Sequence, residues 1–196
     1  MLRPKAFLRQ NESGYVCVRW GEYIKMAGTK ALWQTLTTER LQIIPLSRRT
    51  FENKRRALPQ DSELRQAMDE LRMRSRTDLP WKFVWYTDRE IYLRDSGACV
   101  GSIACMNSPS KNPWERGYIE IGYSMDAAFQ GKGYMTEAVR AVCRLILSQK
   151  GVKGMIAGVE AHNIGSQRVL EKCGFALAVG VPAEPVGVWL KNKAPL

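Results

Sequence analysis

The stretch FQGKGYMTE, residues 129–137, sets Gly131 and Gly133 around Lys132 just ahead of a run with helical spacing. Glycine weakens local structure, yet it lets backbone approach a ligand closely. A helix N-terminus presents unpaired N–H groups and a partial positive charge. A flexible lead-in lets several of those N–H groups turn toward one anion, the geometry that binds phosphate. Lys132 would add a full charge and Gln130 amide donors. Neither the Walker pattern nor the dinucleotide fingerprint is present. On these residues alone, a plain turn explains the two glycines as well as a phosphate loop does.

Two other groups of residues could do chemistry. Alternation along YIEIGYSM puts Glu120, Gly122 and Ser124 on one face and Ile119, Ile121 and Tyr123 on the other. A carboxylate in such an apolar strand is either a proton acceptor or half of a surface ion pair. Glu160, at the end of a later apolar stretch, is its rival. Asn163 and Ser166 open a second helical run, where Asn163 is also a good helix cap. His162 stands beside them as a lone loop histidine.

The elements that must position these groups follow from pattern. RLQIIPL reads as a strand. Ser47 caps a helix ended by Pro59, and Asp61 or Ser62 caps another with a stripe of Leu64, Ala67, Met68 and Leu71. KFVWYTDREIYLRD and ACVGSIACMN flank the turn signal DSG as antiparallel strands. YIEIGYSM, the glycine loop, a helix through Ile146, and the strand GMIAGVE form a crossover that requires parallel pairing. A helix from Asn163 stops at Gly174, and FALAVGV with PVGVWLKN closes the chain as a hairpin. The expected fold is α/β (α+β), a mixed sheet with helices on both faces.

Composition bounds the function. The chain has 196 residues, 45% hydrophobic and 25% charged, in the range of a soluble globular domain. No apolar run reaches the roughly 18 residues of a membrane helix, and no signal-peptide core appears, which places the protein in the cytoplasm. Five cysteines without a C-x-x-C pair, and one histidine, argue against a metal site. A net charge of +11 favours anionic partners. The excess is greater in residues 1–80, with 16 Lys/Arg against 9 Asp/Glu.

QGKGYM resembles the pyrophosphate loop of the GCN5-related N-acetyltransferases (GNAT), Q/R-x-x-G-x-G/A, with Gln130 and Gly133 in the first and fourth places. Met135 stands where glycine or alanine is usual and would crowd the pantetheine arm. IEIGYSM, NIGSQRVLEKCGF and LTTERLQIIPL resemble further segments of the family, in its order, over roughly residues 37–190. The N-x-x-S spacing and the TERL start are similar to the branch that acetylates the N-terminal alanine of ribosomal proteins (RimJ/RimL-like). The resemblance implies a mostly antiparallel sheet of six to seven strands with a splayed central parallel pair. It makes 37–196 the N-acetyltransferase domain and 1–36 an N-terminal extension of uncertain order; Met26 is an alternative start.

The implied activity is direct acetyl transfer from acetyl-CoA to a primary amine, on a small molecule or a protein N-terminus, with no metal and no membrane. Ribosomal or other anionic partners and a monomer or homodimer are consistent with it. The resemblance implies that N–H groups of residues 131–136, including Tyr134 and Met135, hold the pyrophosphate with Lys132 and Thr136. It maps the N–H that polarises the thioester to Tyr123, Ser124 or Met125, the base to Glu120 or Glu160, pantetheine contact to Asn163, and the acid to Ser166. Leu170 occupies the place where many members carry a tyrosine acid. Trp114 would line the acceptor pocket, while Trp81, Trp85 and Trp189 read as packing. The alternative is a non-catalytic acyl-CoA-binding or ribosome- and RNA-associated module on the same fold, although no RNA-binding signature appears.

Overall fold

The computed structural model describes residues 7–11, 14–18, 30–77, 80–107, 117–178 and 185–194. Strands β1 (Phe7–Asn11) and β2 (Gly14–Val18) pair as a separate antiparallel hairpin. The main sheet uses β3 (Leu36–Thr37), β4 (Leu41–Pro45), β5 (Asp88–Leu93), β6 (Cys99–Cys105), β7 (Tyr118–Met125), β8 (Gly154–Glu160), β9 (Ala176–Leu177) and β10 (Val186–Asn192). Their spatial order is β3-β4-β5-β6-β7-β8-β10-β9. Two of the eight are two-residue pieces, so six full strands carry the sheet. All neighbours are antiparallel except β7 and β8.

Helices α1 (Arg48–Ala57), α2 (Glu63–Thr77), α3 (Tyr134–Leu147) and α4 (Ile164–Lys172) complete the fold. One sheet face carries Leu41, Ile43, Ile91, Ile103, Ile119, Met155 and Trp189, all buried. The buried stripe of α3, including Met135, Ala138, Val139, Val142 and Ile146, and Leu170 of α4 join that core. On the opposite face α1 is tied to β5 by an ion pair from Lys54 to Glu90. Among the described residues no helix is long and apolar enough to cross a membrane.

Local chemistry accounts for the helix ends. The Ser47 hydroxyl accepts from the Thr50 N–H at 3.1 Å, and Ser62, rather than Asp61, accepts from the Arg65 N–H at 3.2 Å. Ser47→Ala should therefore cost about 1 kcal/mol in urea unfolding. An unchanged midpoint would mean that α1 does not depend on this cap.

The structure departs from pattern in three places. KFVWYTDREIYLRD is not one strand: Pro80–Trp85 forms a 3₁₀ turn, and β5 begins at Asp88. Phe83, Val84, Trp85 and Tyr86 are buried in succession, which a turn pressed into the core achieves and a half-exposed strand does not. The stripe on α2 is buried at Met68 and Leu71, but Leu64 is 57% exposed and Ala67 is also exposed, so only the later part of the expected stripe meets the core. The packed unit also reaches back to Leu32, ahead of residue 37: its side chain is fully buried and its carbonyl accepts from Arg89 Nη2 at 3.3 Å.

Candidate active site

The crossover between β7 and β8 creates an opening. The two strands pair over three residues each, Tyr118–Glu120 against Gly154–Ile156, and then separate. In a sheet, successive residues aim their backbone groups at opposite neighbours. The Glu120 carbonyl accepts from Met106 N–H at 2.8 Å, and the Asp126 N–H donates to Val100 at 3.0 Å, both toward β6. Even-numbered positions of β7 therefore face β6. The backbone groups of Tyr123 and Met125 face the opening, where β8 has turned away.

This sorts three of the expected site residues. Tyr123 and Met125 present backbone to the opening, whereas the Ser124 backbone is committed to β6 and its side chain stands exposed on the open face. The Tyr123 side chain lies on the opposite face and donates to the Ser166 carbonyl at 3.1 Å. Burial is the chief cause that pushes its phenol up to about 12, so it stays protonated and acts as a prop for α4.

The glycine loop closes one end of the opening. The Gln130 amide donates to the Met125 carbonyl at 2.9 Å, pinning the loop to the strand end. Gly131 and Gly133 have φ of +73° and +81°, a region that other L-residues enter at a cost. A Cβ on Gly131 would meet nothing within 4 Å, so the space beside the loop is open. Gly133 offers no capping side chain, and the first intrahelical bond is Glu137 N–H to Gly133 C=O at 3.1 Å. The N–H groups of Tyr134, Met135 and Thr136 thus have no intrahelical acceptor. Met135 is buried beneath α3, so its side chain does not crowd the approach that its sequence position suggested. Lys132 folds back, its Nζ 2.9 Å from the Ala128 carbonyl and over the Phe129 ring.

A clamp that pattern reading did not find holds the loop from outside. Glu137 accepts from Thr38 Oγ1 at 2.6 Å, Arg40 N–H at 3.0 Å and Arg40 Nε at 2.7 Å. Arg40 Nη1 donates to the Lys132 carbonyl at 3.0 Å, and the guanidinium lies over the Tyr134 ring. Because the peptide is planar and trans, fixing the Lys132 carbonyl toward Arg40 aims the Gly133 N–H the other way. Burial raises the Glu137 carboxyl, but the Thr38 and Arg40 hydrogen bonds outweigh it and hold the group below its ordinary 4.5. The clamp is therefore complete above that value and is lost as pH falls through the depressed one. Arg40→Ala should weaken binding of a phosphate-bearing ligand at this loop about tenfold in calorimetry, near 1.4 kcal/mol. Unaltered affinity would separate the clamp from the loop. An open groove of about 670 Å³, lined by Thr38, Arg40, Gly133, Thr136, Arg140 and Lys172 among others, adjoins the loop.

The N-terminus of α4 lies just past the other wall of the opening. Asn163 Oδ1 caps it by accepting from the Ser166 N–H at 3.0 Å. Glu120 occupies the last paired position at the vertex, exposed on the open face. Its N–H donates to Asn107 Oδ1 at 2.9 Å, while Asn107 Nδ2 donates to the Tyr118 carbonyl at 3.1 Å. Asn107 thus extends β6 with its side chain and fixes the strand that carries Glu120. Glu160, four residues beyond the vertex, is paired with His162 Nε2 at 3.2 Å. Trp85 and Trp189 are buried in the core, whereas Trp114 and the Trp81 side chain lie outside the described residues. Cys105, Cys143 and Cys173 are buried thiols. Among the described residues no three His, Cys, Asp or Glu side chains are grouped to hold a metal.

Residues 39–176 match the family model described as an acetyltransferase (GNAT) domain. The uncharacterised N-acetyltransferase YjdG of Bacillus subtilis is 36% identical over 87 residues, 44% of this chain and 49% of its own; the match spans about half of that relative's length. An acetyltransferase from Agrobacterium tumefaciens shares the fold, with a TM-score of 0.57 and 22% identity over 81% of this chain and 94% of its own. RimL, a ribosomal α-N-protein acetyltransferase solved in complex with coenzyme A, gives a TM-score of 0.56 and 15% identity over 81% of this chain and 97% of its own.

Proposed function

The chain belongs to the GNAT acetyltransferase family, and from that premise we propose that it transfers an acetyl group from acetyl-CoA directly to a primary amine. The observation that carries this reading is the split between β7 and β8, with unpaired backbone along one wall and the glycine loop of α3 at its end. The residues present fit the donor. A strand-like arm can pair with the backbone of Tyr123 and with the Met125 N–H. The open space beside Gly131 and the unpaired N–H groups of residues 134–136 suit a pyrophosphate.

When bound, acetyl-CoA supplies the acetyl group as a thioester. The chain's own groups do the rest. N–H groups of Gly133 and of α3's first turn, with Lys132 and Thr136 beside them, hold the phosphates. A Tyr123 or Met125 N–H faces the opening, where negative charge develops on the carbonyl oxygen. Glu120 takes the proton from the attacking amine. Ser166, on the first turn of α4 beside Asn163, relays a proton from solvent to sulfur, and Glu120 releases the amine's proton to solvent. An α-amine, with an ordinary pKa of about 8, asks less of such a base than a lysine near 10.4, which supports a protein N-terminus or a small amine as acceptor.

The test is release of free CoA thiol from acetyl-CoA with a panel of N-terminal peptides, polyamines, aminoglycosides and amino acids. Acceptor-dependent release is expected with at least one class. Absence of release with all of them, in protein that binds acetyl-CoA, would favour a binding module instead.

A further inference from the structure

The sheet face opposite α3 and α4 has an unusual balance of charge. Cross-strand partners share a face. Glu120 therefore stands beside Ile156, Ile156 beside Leu190, Gly158 beside Val188, and Glu160 beside Val186. None of the positions that β7, β8 and β10 place on this face is a lysine or arginine, in a chain that carries 30 of them. The charged positions of these three strands on the face are two glutamates, Glu120 and Glu160.

The face is also open. Glu120, Gly158, Glu160 and Val186 are exposed, and Ile156, Val188 and Leu190 are half-buried. Helix α1 is tied to this face further across, at Glu90 of β5. A Cβ on Gly158 would approach Val186 Cγ1 to 3.4 Å, so glycine keeps the floor low beside the opening. At the far end Tyr118 OH donates to Asn192 Oδ1 at 2.8 Å, satisfying both polar groups.

We infer that this floor selects the acceptor: a cationic amine on an apolar body, with no carboxylate near the amine. The inference rests on the acetyl-transfer reading above. An ammonium is drawn to Glu120 at the vertex, on a stretch of the face where β7, β8 and β10 place no lysine or arginine. The body of the acceptor then lies over Ile156, Val188 and Leu190, which leave water as it binds. A carboxylate beside the amine would meet Glu120 with like charge, and repulsion of that kind is a direct source of selectivity.

The experiment compares three dipeptide amides as acceptors, Leu-Ala, Gly-Ala and Asp-Ala, with the full chain and saturating acetyl-CoA. On the unmodified chain kcat/KM should fall by about tenfold from Leu-Ala to Gly-Ala, and by about tenfold or more again to Asp-Ala. Val188→Lys places a cation on the floor and should reverse the order, favouring Asp-Ala. Leu190→Lys is a second variant with the same expected reversal, and acetyl-CoA titration verifies each fold. Asp-Ala matching or exceeding Leu-Ala on the unmodified chain would overturn the inference. So would an unchanged order in folded floor variants, or acetyl-CoA binding with no turnover of any of the three. Failure of the unmodified chain to bind acetyl-CoA would instead overturn the acetyl-transfer reading itself.

Discussion

Glu120→Gln should lower kcat by about 10²–10⁴-fold while acetyl-CoA affinity stays within about twofold. The strand geometry separates the two quantities. The Glu120 side chain stands on the open face, whereas the backbone groups facing the donor opening belong to the odd-numbered residues beyond it. Glutamine keeps the shape and removes the proton acceptor, and the Asn107 contact, made to the backbone N–H, survives the change. Glu160→Gln serves as the comparison, because Glu160 is already engaged by His162. Unchanged turnover in Glu120→Gln, with a large loss in Glu160→Gln, would move the base to the other strand.

Gly133→Asp should reduce acetyl-CoA affinity by at least about 100-fold, near 2.8 kcal/mol, while unfolding stays cooperative at a midpoint lowered by the left-handed backbone cost of about 1–2 kcal/mol. Two effects keep the fold. Aspartate enters the left-handed region more readily than most residues, and a carboxylate at a helix N-cap favours the helix. Its Cβ would lie 3.5 Å from Arg40 Nη2, so the guanidinium would hold the new charge in place. That charge would occupy the anion seat itself. Retained affinity in a folded variant would refute the phosphate role of the loop.

The parts of the fold written locally in the chain were legible. YIEIGYSM and GMIAGVE are β7 and β8 residue for residue, because alternation and apolar content agree there. Asn163 and Gly174 bound α4, and the glycine loop sits at the start of α3, because caps and positive-φ residues leave their own signature. What stayed hidden depends on distance or direction. Arg40 and Glu137 are 97 residues apart, and neither residue type announces the other. Which of Tyr123, Ser124 and Met125 faces the opening is decided by pairing with β6, which no local pattern records. Met135 departs from the family's loop pattern but proves silent once α3 turns its side chain into the core. Leu64 and the Phe83–Tyr86 run misled for a related reason: periodicity reports what an element offers, and packing decides what it buries.

The central claim is that the split between β7 and β8, closed by the glycine loop, is an acetyl-CoA site. Isothermal titration of acetyl-CoA into the unmodified protein tests it most directly. The account predicts saturable one-to-one binding at micromolar ligand, weakened in Arg40→Ala and lost in Gly133→Asp. Undetectable heat and no saturation at millimolar acetyl-CoA, in protein that unfolds cooperatively, would contradict it.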